Sequence, residues 1–133
     1  QVKMVSEVKH PIMREVLAEL KLKTPQVEIT TLADIPSGTG LGSSGSFTTA
    51  LIKALFAHYR KNIHPAQLAE MACRIEIENL GEPIGKQDQY IAAVGEITSF
   101  KFNDDESVEI ERLELEKDVR TQIEENLMLF YTV

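Results

Sequence analysis

The chain is predicted to fold as one α+β domain over residues 1–133. Three observations carry that expectation. Apolar residues recur at helical spacing in several separate segments, and alternating β-branched or apolar segments lie between them. The strand patterns near the C-terminus stand next to each other rather than alternating with helices, which argues against strict βαβ winding. Finally, a glycine-rich run, "SGTGLGSSGS", connects a strand pattern directly to a helix pattern.

The elements follow in order. "HPIMREVLAELKL" is a helix with Pro11 in its first turn, where a missing N–H does no harm, and Ile12, Val16 and Leu20 share one face. "PQVEITTLA", residues 25–33, alternates and is rich in β-branched residues, so it is expected as a strand. After the glycine run, Phe47, Leu51, Ala54, Leu55 and His58 lie on one face of a helix of about four turns. Pro65 opens the next helix, whose face runs through Leu68, Ala72, Ile75 and Asn79, with Gly81 closing it. "GEPIGKQDQYIAAVG" begins as a loop and ends in a short helix. "EITSFKFN" and "SVEIERLEL" form a strand pair across the turn "NDDES", "KDVRTQIEEN" is a polar helix, and "LMLFYTV" is a buried strand. The sequence has neither an internal repeat nor a low-complexity tract.

Hydrophobic content of 43% and charged content of 26% are those of an ordinary globular domain. No apolar run approaches the ~20 residues that cross a bilayer, and no secretory leader pattern opens the chain, so a membrane partner is not expected. The single Cys73 cannot form an internal disulfide, which fits a reducing cytoplasm. A net charge of −7 suits solubility and speaks against nucleic acid, which calls for a basic patch. The chain starts at Gln1 and stops within an apolar run at Val133, a pattern expected of a piece of a longer polypeptide.

The glycine run admits several meanings. A flexible linker is disfavoured by its place between a strand and a helix. The Lys-Ser/Thr end of the Walker loop is missing. Gly40, Gly42 and Gly45 satisfy G-x-G-x-x-G, yet the acid that would hold a ribose about twenty residues on is absent from "HYRKNIHPAQL". An anion site remains: glycine-turn amides flow into the unsatisfied amides of a helix N-terminus, where the dipole is positive. Ser43, Ser44 and Ser46 add hydroxyls able to cap the helix, touch phosphate or ligate Mg²⁺. An ordinary capped helix after a turn stays open at this point.

A phosphate-holding loop needs carboxylates for a hard cation and for a proton. Glu76, late on a helix, and Asp88, between Lys86 and Gln89 in a loop shaped by Gly81, Pro83 and Gly85, are the candidates. Each has a plainer alternative: Glu76 and Glu78 as solvated helix acids, Asp88 as a turn residue, Lys86 as a solvated charge, and Cys73 as a small core residue. The three histidines show no metal-ligand spacing.

Together these residues resemble the GHMP kinases, the superfamily of galactokinase, homoserine kinase, mevalonate kinase and phosphomevalonate kinase. "DIPSGTGLGSSGS" is similar to that family's second motif, P-x-x-x-G-L-[GS]-S-S-[AGS], with Pro36, Gly40, Leu41, Gly42, Ser43, Ser44 and Gly45 in its positions. The segment from Glu76 to Gln89 resembles E-x-x-x-x-G-x-P-x-G-x-x-D-Q. "GKQDQYIAAVG" and "LMLFYTV" further resemble bacterial D-glycero-D-manno-heptose 7-phosphate kinases, and the likeness runs from about His10 to the end of the chain.

The resemblance implies a two-layer fold related to ribosomal protein S5 domain 2, the core of the family's N-terminal ATP-binding domain. It implies ATP-dependent phosphorylation of a sugar hydroxyl, most closely the anomeric position of a heptose 7-phosphate. ATP would be held by Pro36, Gly38 and the run from Gly40 to Ser46, Mg²⁺ by Ser44 and Glu76, and Asp88 would be the catalytic base or orienting group. Lys86 and Asp88 would meet the sugar phosphate. Glu96 stands where the subgroup has a second glycine, and Val133 where it has another. The family's first and third motifs are not found in the sequence. Their absence leaves two alternatives: a non-catalytic or truncated nucleotide-binding half-domain, or a galactokinase- or fucokinase-like acceptor.

Overall fold

Local rules account for where each element begins and ends. The computed structural model describes residues 2–21, 27–34, 39–128 and 130. After a short 3₁₀ turn at Val5–Glu7, α1 spans Pro11–Glu19, α2 Ser43–His58, α3 Pro65–Cys73 and α4 Gln87–Val94. Pro11 and Pro65 start their helices, and the His64 ring nitrogen accepts from the Ala66 N–H at 3.3 Å. β1 spans Thr98–Phe102, β2 Val108–Arg112 and α5 Lys117–Asn126. Two compact units result, Gln1–Gly95 and Glu96–Val133.

In the first unit α2 packs against α1, α3 and α4. Val16, Leu17, Leu51, Ile52, Leu55, Leu68, Ala72 and Ile75 form the core. The buried surface of α2 takes in Leu51 and Leu55 of the face named from the sequence and extends beyond it. Ile52 and Thr48 are fully buried, whereas Ala54 and His58 are exposed, because three helices rather than one cover α2.

The helix opened by Pro65 does not continue in α form. Residues Arg74–Asn79 widen into a π-helical turn, so the Leu80 N–H bonds the Ile75 carbonyl at 3.1 Å. The wider turn brings Leu80, not Asn79, over Ile75 and onto the core, and Asn79 is exposed. Gly81 follows at φ +70°.

The second unit holds the expected hairpin. β1 and β2 pair antiparallel, with Phe100 opposite Ile110, across a turn in which Asp105 accepts from the Ser107 N–H at 3.0 Å. Glu96 stands in the left-handed region at φ +60°, a conformation costing a non-glycine residue roughly 1–2 kcal/mol.

Two expected strands differ from the structure. Residues 27–33 form no ladder, although Val27 and Ile29 are half-buried, Glu28 and Thr30 are exposed, and Ile29 packs on the core. Residues 127, 128 and 130 form no strand either. Leu127, Met128 and Phe130 are 71%, 78% and 75% exposed, against the burial expected of them. Alternation is a local property, whereas a strand requires a partner for its backbone, and no other strand among the described residues pairs with either segment. Residues 25, 26, 129 and 131–133 lie outside the described residues. No helix among the described residues is long and apolar enough to cross a membrane.

Candidate functional site

The glycine run enters α2 through a left-handed residue. Gly42 is the N-cap at φ +68°, and no side chain caps the helix. Its first intrahelical bond runs from the Ser46 N–H to the Gly42 carbonyl at 3.0 Å, so the amides of Ser43, Ser44 and Gly45 precede the ladder. The serine side chains therefore do not cap the helix, and these three amides lie at its positive dipole end. Gly40 and Leu41 lie in the same turn, with Leu41 exposed, and Ser46 is exposed at the first helical turn. Pro36 and Gly38 lie outside the described residues.

Glu76 is not a solvated helix acid. It is fully buried, and its Oε2 accepts a hydrogen bond from the Ser44 hydroxyl. Its Oε1 is buried with no hydrogen-bond partner. Removing a carboxylate oxygen from water without a partner is costly, so an ion or water belongs beside it. Glu78, two residues on, is exposed as expected.

Asp88 comes to the same loop from α4. A Cβ placed on Gly42 would lie 3.3 Å from the Asp88 carboxylate carbon. One placed on Gly45 would lie 3.0 Å from the Asp88 carbonyl carbon and from the Gln89 nitrogen. A side chain at either glycine would crowd α4, most at Gly45 where the neighbours are backbone atoms, and Asp88 itself remains solvent-exposed beside Gly42. Gln89 is fully buried. With its amide oriented to suit its surroundings, it donates to the Gly85 and Lys86 carbonyls at 3.1 and 3.3 Å, closing the loop before α4.

Gly45→Ala tests this packing, because its new methyl meets backbone atoms that cannot rotate away. It is expected to lower unfolding free energy by about 1–3 kcal/mol, measured by urea denaturation. Ser46→Ala, an exposed neighbour, is expected to change it by less than ~0.5 kcal/mol. Equal stability of the two variants would show that α4 does not need the bare glycine.

Lys86 does not stand as a free solvated charge. Its Nζ lies 3.6 Å from Glu70 Oε1, which also accepts from the Tyr90 hydroxyl. Cys73 is buried, and burial, followed by the Glu70 charge, pushes its thiol up to about 12, so it stays protonated and unreactive. Glu70, Tyr90 and Gln89 escaped sequence reasoning. Tyr90 and Gln89 adjoin Asp88 in "QDQY", whereas nothing local distinguishes Glu70 from other helix acids.

A glycine turn at an open helix end, a buried Glu76 bonded by Ser44 of that helix, and an exposed Asp88 beside the turn come together in one place. The chain belongs to the family described as GHMP kinases N terminal domain, whose model matches residues 6–96 and so contains the whole constellation. Over 121 residues it is 28% identical to D-glycero-alpha-D-manno-heptose 7-phosphate kinase from Campylobacter jejuni, covering 91% of this chain and 36% of that protein. Over 99 residues it is 33% identical to a galactokinase from Pyrococcus furiosus, covering 74% of this chain and 26% of that protein. Among solved structures, a D-glycero-D-manno-heptose 1-phosphate kinase from Bacteriodes thetaiotaomicron superposes with a TM-score of 0.76 at 26% identity, covering 90% of this chain and 40% of that one. The chain thus spans between about a quarter and about a third of the length of these curated relatives. Its fold is the α+β fold of the family.

Proposed function

We propose that this chain is the core of the ATP-binding domain of a sugar kinase, which transfers the γ-phosphoryl group of ATP to a sugar hydroxyl. The carrying observation is the meeting of two sequence-distant motifs: Asp88 packs on Gly42 and Gly45 of the same loop whose Ser44 bonds Glu76. The amides of Ser43, Ser44 and Gly45, with the turn from Gly40 to Gly42, would hold the phosphates against the positive helix end. Pro36 and Gly38 are assigned to the same nucleotide site from the motif alone.

The donor set suits Mg²⁺. A hydroxyl and a carboxylate with one unpartnered oxygen are hard ligands, and such an ion commonly takes one or two carboxylates and completes its shell with phosphate oxygens and water. Ser44 and Glu76 would hold it, and its chemistry there is to neutralise phosphate charge. Asp88, exposed beside the turn, accepts the proton of the acceptor hydroxyl or orients it for in-line attack. Lys86 is assigned to the acceptor's own phosphate, a role it would share with its ion pair to Glu70. The chemistry belongs in the cytoplasm, where ATP is supplied.

For the acceptor we infer the anomeric hydroxyl of D-glycero-D-manno-heptose 7-phosphate, supported by the "GKQDQY" segment and the Campylobacter jejuni relative. The test is a coupled kinase assay of the complete protein with heptose 7-phosphate, galactose, fucose and mevalonate. The expected result is kcat/KM at least about tenfold higher for heptose 7-phosphate than for any other acceptor. A preference for galactose would overturn the acceptor and keep the kinase. ATP binding without transfer to any of them would favour a nucleotide-binding half-domain.

A further inference from the structure

Glu70 on α3 takes no part in the proposed chemistry, yet it gathers both ends of the segment that presents Asp88. Its Oε1 accepts from the Tyr90 hydroxyl and lies 3.6 Å from Lys86 Nζ. Lys86 is the N-cap of α4 and Tyr90 belongs to its first turn, so Asp88 lies midway between the two gripped residues. One turn along α3, Cys73 Sγ sits 4.0 Å from the Lys86 carbonyl.

Within α4, Gln89 ties the preceding loop through the Gly85 and Lys86 carbonyls, but no side chain caps the helix N-terminus, and the hold on α3 comes from Glu70. Tyr90 is 3% exposed, and its hydroxyl pKa is pushed up by burial and then by the hydrogen bond to Glu70, so it remains a donor at neutral pH. A half-exposed Lys–Glu pair alone contributes little to stability. A carboxylate that ties a buried hydroxyl and a helix N-cap to a second helix instead fixes an orientation.

We propose that Glu70 is a positioning residue for Asp88: by holding Tyr90 and Lys86 to α3, it sets the first turn of α4 so that Asp88 stands against the glycine turn. The inference rests on the kinase reading for its kinetic arm and is independent of it for its structural arm.

The experiment uses the complete protein with Glu70→Ala, Glu70→Gln, Asp88→Ala and the Glu70→Ala/Asp88→Ala double variant. Glu70→Ala is expected to lower kcat about tenfold with KM for ATP within about twofold, because a small displacement of the base affects the reacting step and not nucleotide binding. Glu70→Gln keeps an oxygen for Tyr90 and is expected to recover most of kcat. In the Asp88→Ala background, Glu70→Ala should cause no further loss, since its effect passes through Asp88. Hydrogen exchange of residues 86–91 should be faster in Glu70→Ala than in wild type, whether or not an acceptor is turned over. Unchanged exchange, unchanged kcat, or an equal loss in the Asp88→Ala background would overturn the inference. A wild-type protein inactive on every acceptor would sink the kinase reading, leaving the exchange result to decide the role of Glu70.

Discussion

Asp88→Ala is expected to reduce kcat by about 10²–10⁴-fold while ATP binds almost as before. The expectation follows from where the residue lies. Asp88 is exposed at the surface of the glycine turn, close enough that Gly42 could not carry a methyl without meeting its carboxylate carbon at 3.3 Å. Removing a carboxylate there leaves the amides of Ser43 to Gly45 in place, so the phosphates keep their donors. Phosphoryl transfer depends mainly on positioning and charge neutralisation, and the loss should therefore fall on the step that moves the hydroxyl proton. Steady-state kinetics with the preferred acceptor and calorimetric titration with ATP·Mg²⁺ separate the two contributions. Near-normal turnover would remove Asp88 from the chemistry, and a parallel loss of ATP affinity would make it a structural prop of the loop.

Glu76→Gln has the second largest expected effect, and it should act on metal dependence. The buried carboxylate has one oxygen on the Ser44 hydroxyl and the other without a partner. A neutral amide relieves that unpaired charge, so the variant should be at least as stable as wild type in EDTA. With Mg²⁺ present it should need at least about tenfold more cation for half-maximal activity, having lost a charged ligand. Ser44→Ala should shift the requirement in the same direction by less, because a neutral ligand contributes less. Thermal melts with and without ATP·Mg²⁺, together with an Mg²⁺ titration of turnover, read both effects. An unchanged metal requirement in Glu76→Gln would return Glu76 to a structural role; an unchanged requirement in Ser44→Ala alone would transfer the serine's part to Ser43.

Much of the candidate site was legible because its chemistry is written in short motifs. The open helix end follows from Gly40, Gly42 and Gly45 ahead of an unbroken helical pattern, and the structure places a left-handed N-cap at Gly42. Helix and hairpin positions were legible for the same reason, down to the polar helix at Lys117–Asn126. What failed was anything that depends on a partner. Residues 27–33 alternate as a strand does but meet no ladder, and Ala54 and His58 share a helical face with Leu51 yet point to water.

Taken by itself, the sequence determined which residue types could do phosphate chemistry, in what order they come, and the family to which they belong. By helical pattern alone Glu76 and Glu78 read as solvated acids on one late stretch, and only the family motif singled out Glu76. Tertiary packing decided between them: the π-helical turn and the cover of α2 bury Glu76 against Ser44 and leave Glu78 in water. Packing also decided that Lys86 is tied to Glu70 and that Gly45 is a contact point for α4 as well as a loop residue. The physical reason is common to all three. Periodicity and turn chemistry act over a few residues, whereas the environment of each of these groups is set by a segment that arrives beside it from a distant part of the sequence.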